Sequence, residues 1–563
     1  AMNVGNAATL KSGSFRVHHI GARILATVFV LTVCAGATLP AVAQTHAGKG
    51  HDLGVVDFRV SGNAKAQVEF NRAVALLHHM TYPQARQAFE KVVKIDPACP
   101  MAHWGIAMTL FQPLWPTRPG LDERRRGWDE VTKARALNPR TDRERLFVDA
   151  VAAFFAEPES PDYWSRIRRW EQSMKKVHDA FPNDPDATAF YALARLAVTP
   201  QDRISRTNAD EAAALLLGVY ERNHDHPGAM HYLVHASDVP GREKESLEIV
   251  DKYDAVAPRN PHALHMPTHI YTRLGNWDAV VRGNLRAAEA SLEHPAGDRG
   301  QFVWDEFPHA IEYLVYAHLQ QGADSEAAAQ LHRLHGTPQL EPTFKTAFHL
   351  ASTKARFALE RRAWTEAVAL SPREPSTLDW NRFFWPEGVT WFARGLGAAH
   401  TGELATALEA SARLESLESS ARNAGEELFA RNIQILRLEL NAWIAHAEKR
   451  TEASLSLMTQ AVELEEATPK HSVTPGPTLP AAELLGDLLL DLSKPADALV
   501  AYQRSLLHYP GRFNSLLGAA RSARASGNEA LAVNYYAQLL SVGRGKSRAA
   551  LLDEARSFVS TRR

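Results

Sequence analysis

The sequence predicts an all-α fold: a solenoid of helical hairpins wound as a right-handed superhelix, with an irregular helical insertion. Three observations predict it. Histidines recur at a fixed interval, since His231 and His265, and likewise His235 and His269, stand 34 residues apart, the length of one helix–turn–helix repeat unit. Small, aromatic and proline residues recur where such a hairpin needs them. No stretch alternates polar and apolar residues in the two-residue rhythm of a half-buried strand.

Composition narrows the function classes. The 563 residues carry 63 Lys and Arg against 64 Asp and Glu, a formal net charge of -1, so no global field attracts polyanions and nucleic acid is not an expected partner. With 45% hydrophobic and 23% charged residues the chain is ordinary globular material. It has no GxSxG elbow, no HExxH and no CxxC. Gly545-Lys546-Ser547 looks like the end of a phosphate loop, but Leu540 stands where the first glycine is required.

Residues 1–43 read as an export signal. Lys11, Arg16 and Arg23 precede an apolar run from Ile24 to Ala37, and Ala41-Val42-Ala43 forms a small-residue cleavage site. The alternative is a single membrane anchor, but the run is short of the roughly 20 residues a span needs. Val33 makes the sequence before Cys34 a poor lipidation box. The expected location is therefore periplasmic or secreted, with no membrane span after signal removal. Cys99 is then the sole remaining cysteine, so packed helices and not disulfides must stabilise the chain.

Residues 44–64 read as a flexible leader. The segment 65–345 reads as an N-terminal solenoid. Ala73, Tyr82, Ala85, Phe89 and Pro97 suit a first hairpin, because small residues let two helices approach and proline ends the second. A second unit opens at Pro100 and breaks at Pro113, Pro116 and Pro119. An irregular helical insertion, 113–182, follows, placed to cover the end of the groove. A helix pair from Pro185 to Tyr220 leads to the two best-registered units, 227–260 and 261–294. A further unit begins near Pro308. Degenerate helix pairs fill 346–468, a Pro-rich connector spans 469–480, and a regular pair of units fills 481–563.

The repeats resemble tetratricopeptide (TPR) units from Ala66 to about Leu540. HPGAMHYLVHASD, PHALHMPTHIYTRLGNW and KHSVTPGPTLPAAELLGDLLL more specifically resemble an exported bacterial tetratricopeptide family of unassigned function. The resemblance implies fold and export and carries no activity. It also implies that the first helix of each unit lines a concave groove, which puts His231, His235 and Asp238 of one unit, and His262, His265 and His269 of the next, at groove positions.

The window from His224 to Tyr271 holds seven histidines where composition gives about two. His residues four apart share a helix face, so His231, His235, His265 and His269 can present imidazoles from neighbouring helices to one divalent transition metal, zinc or copper. His226 and His262 are expected at the rim, as candidate additional ligands. His309, Glu312 and Tyr316 lie 47 residues beyond His262, His265 and His269, which adds His309 as a further ligand and makes Glu312, Asp238 and Tyr316 the candidates to orient a ligand or act on a bound water. The function so read is metal-dependent chemistry on a small molecule. The alternative is a non-enzymatic TPR scaffold holding a peptide or protein partner in the same groove. In that case the histidines are polar contacts; the connector could fold back as a lid in either reading, and the sequence does not decide it.

Overall fold

The computed structural model describes residues 52–562. The expected signal segment and the first part of the expected leader lie outside them. The described part of that leader is not a free tail. Phe58 is fully buried against Phe70, Trp104 and Phe147, and Val55 donates its backbone N–H to Asp225.

Helix follows helix from Ala64 to Ser560, and among the described residues the only strand-like pairing is two isolated bridges, Ala296 with Phe302 and Val303 with Leu340. The fold is an all-α solenoid of TPR type. Among the described residues no helix is long and apolar enough to cross a membrane. Successive helices pack as antiparallel neighbours because each buries only one stripe, and short loops leave no other geometry. The unit openings show the local logic. Asp184-Pro185, His226-Pro227 and Asn260-Pro261 each place a polar N-cap before a proline at the first helical position, where its missing N–H costs nothing. Each cap accepts the N–H three residues on.

The expected insertion, 113–182, continues the stack. Leu121–Ala136, Asp142–Phe155 and Tyr163–Ala180 pack in succession between the neighbouring units. Only the proline-broken segment before them is irregular. At the other end, the helix Ala549–Ser560 caps the last hairpin with Leu552, Ala555 and Phe558.

The solenoid closes on itself. Arg118 pairs with Glu426, Trp164 donates to the Gly425 carbonyl, and Ile204 donates to the Ala467 carbonyl. The connector lies along the inner face, with Arg356 donating to the carbonyls of Gly476 and Pro477 and to Thr474 Oγ1. The C-terminal units pack back through Arg512, which reaches Glu360, Glu483 and the Tyr316 hydroxyl. The apolar core is split into consecutive clusters, and the histidines fill the seam between the first two large ones.

Candidate metal centre

The helix Pro227–Ser237 carries His231 and His235; Pro261–His265 and Pro267–Arg273 carry His262, His265 and His269; Glu306–Gln320 carries His309. Pro267 interrupts what would be one helix, because it cannot donate to the carbonyl of Ala263. His265 and His269 thus stand on either side of a break, and their Nε2 atoms meet at 3.0 Å.

The structure sorts six histidines into two triads. One ring nitrogen from each of His231, His235 and His262 lies within 4.8 Å of the others, and the same holds for His265, His269 and His309. In the first, Nε2 of His231 stands 3.2 Å from that of His235 and 3.0 Å from that of His262. Residues a full repeat apart therefore fall into different triads. His262, expected at the rim, is fully buried and completes the first.

What the other ring nitrogens do decides the chemistry. Nδ1 of His231 meets the carbonyl of His78 at 2.6 Å, and Nδ1 of His262 meets the Glu306 carboxylate at 2.8 Å. Nδ1 of His265 meets Asn284 Oδ1 at 2.6 Å, and the amide is oriented by its own donation to the Val280 carbonyl. Nδ1 of His269 meets Asp238 Oδ2 at 2.9 Å. All four partners are acceptors, so all four rings carry their hydrogen on Nδ1 and present an Nε2 lone pair inward. A fifth is set through a relay. Glu312 accepts from Nδ1 of His349, whose Nε2 accepts from Nδ1 of His309 at 3.0 Å, and Nε2 of His309 is buried without a partner.

Burial and the neighbouring rings hold His231 well below the ordinary imidazole range, and burial with the Lys345 ammonium does the same for His262. Burial lowers His269 too, against the pull of Asp238. The rings are neutral, which is the form that binds metal.

Close packing makes this placement. A Cβ on Gly228 would meet Nδ1 of His78 at 2.4 Å, so glycine is what lets the helix of His231 approach the His78 turn. Trp115, from the proline-broken segment, covers the rings of His262 and His309 at centroid distances of 5.2 and 5.7 Å. Tyr313 stands edge-on to His265 at 4.7 Å. A cavity of about 150 Å³ reaches the site beside His235, lined also by Asp238, Arg273, Lys470 and Trp115.

The three candidates for acid–base work are otherwise occupied. Asp238 is held by His269, Arg273 and Lys470. Glu312 is held by His349, Ser352 and Arg356. Tyr316 accepts from Arg512 and lies against Gly476. Glu312 and Tyr316 sit elsewhere because the spatial register is 44 residues, pairing His262 with Glu306 and His269 with Tyr313, and not the 47 read from sequence. The loop carrying the Ala296–Phe302 bridge lengthens the 34-residue unit by ten, and a three-residue slip is nearly one helical turn.

His226 belongs to a third group, with His78 and Asp186. There the tautomers run the other way. His226 Nδ1 accepts from the Ala229 N–H and His78 Nδ1 accepts from the Tyr232 hydroxyl, so both rings turn an N–H toward Asp186, at 3.4 and 2.8 Å. That group turns N–H groups and not lone pairs toward its carboxylate, and Nε2 of His226 and Oδ2 of Asp186 are buried there without a hydrogen-bond partner.

Sequence reasoning missed Glu306, Asn284, His349, Trp115 and Tyr313. His349 was legible as another His on the first helix of the following unit; Asn284, a polar residue on the buried face of Trp277–Leu292, was legible by its misfit. Cys99 is buried and its thiol is pushed up by burial, which makes it a packed residue.

No protein-family model and no curated protein matches the chain. Among solved structures it is similar to a chain of the APC/C hetero-tetramer Cut9-Hcn1, at 13% identity over 88% of this chain and 96% of that one, with a TM-score of 0.28. It is also similar to a monomeric mutant of IFIT1 with Gppp-AAAA, at 11% identity over 79% of this chain and 90% of that one, with a TM-score of 0.35. Likeness at these scores carries no argument about what the chain binds.

Proposed function

We propose that this protein is a metalloprotein whose repeat scaffold holds a divalent transition metal, zinc or copper, among buried histidines and offers it to a small molecule entering beside His235. One observation carries the reading: Nε2 lone pairs, each fixed by an acceptor on the opposite ring nitrogen, face one another at about 3 Å. Left alone they repel. Two imidazoles on a tetrahedral ion, each at about 2.0–2.1 Å, hold their nitrogens about 3.3–3.4 Å apart, close to the 3.0 Å between His231 and His262. Asp238, Glu306 and Asn284 then act as orienting acceptors, the usual companions of metal-bound imidazole.

The scaffold reading, a peptide or protein partner in the same groove, has less support, because the chain's own connector lies there under Arg356. Export to a periplasmic or extracellular space, where such metals are acquired, is supported by the basic and apolar run before Ala41-Val42-Ala43.

Elemental analysis of the untagged chain, purified without chelator, tests the reading. Bound zinc or copper is expected, and a His231→Ala, His265→Ala double variant is expected to lose it while still folded. Full occupancy in that variant would overturn the proposal. Replacing Asn284 with leucine leaves all six histidines in place but removes the acceptor that orients His265. Metal affinity is expected to fall about 10–100-fold, as read by competition with a chromogenic chelator.

A further inference from the structure

Resting on the metal-centre reading, we infer that the site holds two ions at once, a copper pair with three imidazoles to each, and that the pair takes a small anion through the cavity beside His235.

The pairing follows from how the rings are anchored. Each triad has its own set of acceptors: the His78 carbonyl and Glu306 for the first, Asn284, Asp238 and the His349 relay for the second. Neither set depends on the other, and each alone supplies the three protein ligands of an open metal site. The triads also stand side by side. Ring centroids of His262 and His265 are 6.3 Å apart and those of His235 and His269 are 6.2 Å apart; within the triads, His231–His262, His231–His235, His265–His269 and His265–His309 lie at 4.7, 5.0, 4.9 and 4.3 Å, and His269–His309 at 6.1 Å. Two ions so held are neighbours with a space between them, as in two-metal sites that bind one ligand jointly.

The donor set argues for copper. All six ligands are neutral imidazoles; the carboxylates stand behind them and none of the six is a thiolate, an arrangement unlike the oxygen-rich sites of magnesium, calcium or manganese. Among divalent first-row ions such a set binds copper most tightly.

The charge balance argues for the anion. Around the triads stand four carboxylates, Asp238, Asp305, Glu306 and Glu312, and four cations bonded to them, Arg273, Lys345, Arg356 and Lys470. The shell is neutral, so two divalent ions would leave four positive charges buried and uncompensated. Each anion that comes in offsets one or more of these charges. The cavity at His235 admits one, and its wall carries Lys470 and Arg273, whose single shared carboxylate, Asp238, leaves one positive charge over.

The experiment loads the full chain with copper(II) sulfate, removes excess ion, and measures copper per chain and electron paramagnetic resonance, before and after addition of azide. Two copper ions per chain are expected, with a resonance far weaker than two isolated spins. Azide is expected to add a ligand-to-metal absorption band. The His262→Gln variant and the His309→Gln variant are each expected to retain one ion and regain a full one-spin signal, and their circular dichroism reports whether they fold. Lys470→Gln, outside both triads, is expected to keep two ions and to bind azide several-fold more weakly. One ion in the unaltered chain, two ions with full two-spin intensity, or no azide band would overturn this inference while leaving a metalloprotein. No bound metal at all would overturn the reading on which it rests.

Discussion

Lowering the pH from 7 to 5 is expected to remove about 6 kcal/mol of folding stability through three histidines that lie outside the triads. Burial brings His79, His400 and His471 each down to about 3. His79 is locked between the Tyr253 hydroxyl and the Leu53 carbonyl, and His400 is sandwiched between Trp364 and Trp443 at centroid distances of 3.9 and 4.1 Å. The unfolded chain takes up protons on these rings as the pH falls below about 6.5, while the folded chain holds them neutral to about 3. Stability present at neutral pH is therefore lost across that window, by about 2 kcal/mol for each ring by pH 5. The sum is comparable with the whole stability of an ordinary domain. Urea unfolding at a series of pH values measures it. A midpoint unchanged between pH 7 and 5 would mean that these rings reach solvent.

Arg512→Met is expected to destabilise the fold by about 3–5 kcal/mol, because it leaves carboxylates buried and short of a partner. Arg512 is fully buried between Glu360 and Glu483, with N–O distances of 2.8–3.1 Å, and it donates to the Tyr316 hydroxyl at 3.1 Å. The attraction of both carboxylates overcomes the cost of burial and holds its guanidinium charged. The same residue joins the C-terminal units to the helices of Tyr316 and Glu360, so its loss opens the closure of the solenoid as well. Arg521→Met is the control. Arg521 is exposed and its partner Glu554 half-buried, and pairs open to solvent contribute about 1 kcal/mol or less. Equal unfolding midpoints for the two variants would contradict the assignment of Arg512 as the buried tie.

Two levels of the molecule were legible in the sequence to different depths. The helices were, since their caps, prolines and apolar stripes are local and repeat in register. The faces carrying His231, His235, His265 and His269 were also legible, because one residue type recurring at the repeat length must recur on equivalent faces. The continuation beyond them was not. A loop ten residues longer than the repeat hid where the next unit starts, and a start read three residues late, almost a turn, put Tyr316 in the place of Tyr313 and Glu312 in the site when it lies behind His349. Period counting cannot see such a shift, because loop length does not determine where the following helix docks.

The sequence by itself determined an all-α repeat architecture and a concentration of imidazoles on neighbouring helices, since both follow from short-range chemistry and spacing. Only the tertiary structure decided how those imidazoles group, which ring nitrogen each turns inward, and that the groove is closed by its own connector. Those depend on helix crossing, on the approach permitted at Gly228, and on acceptors such as the His78 carbonyl and Asn284. Such groups reach the histidines across space, and a lone pair's direction is fixed by the partner on the far side of the ring.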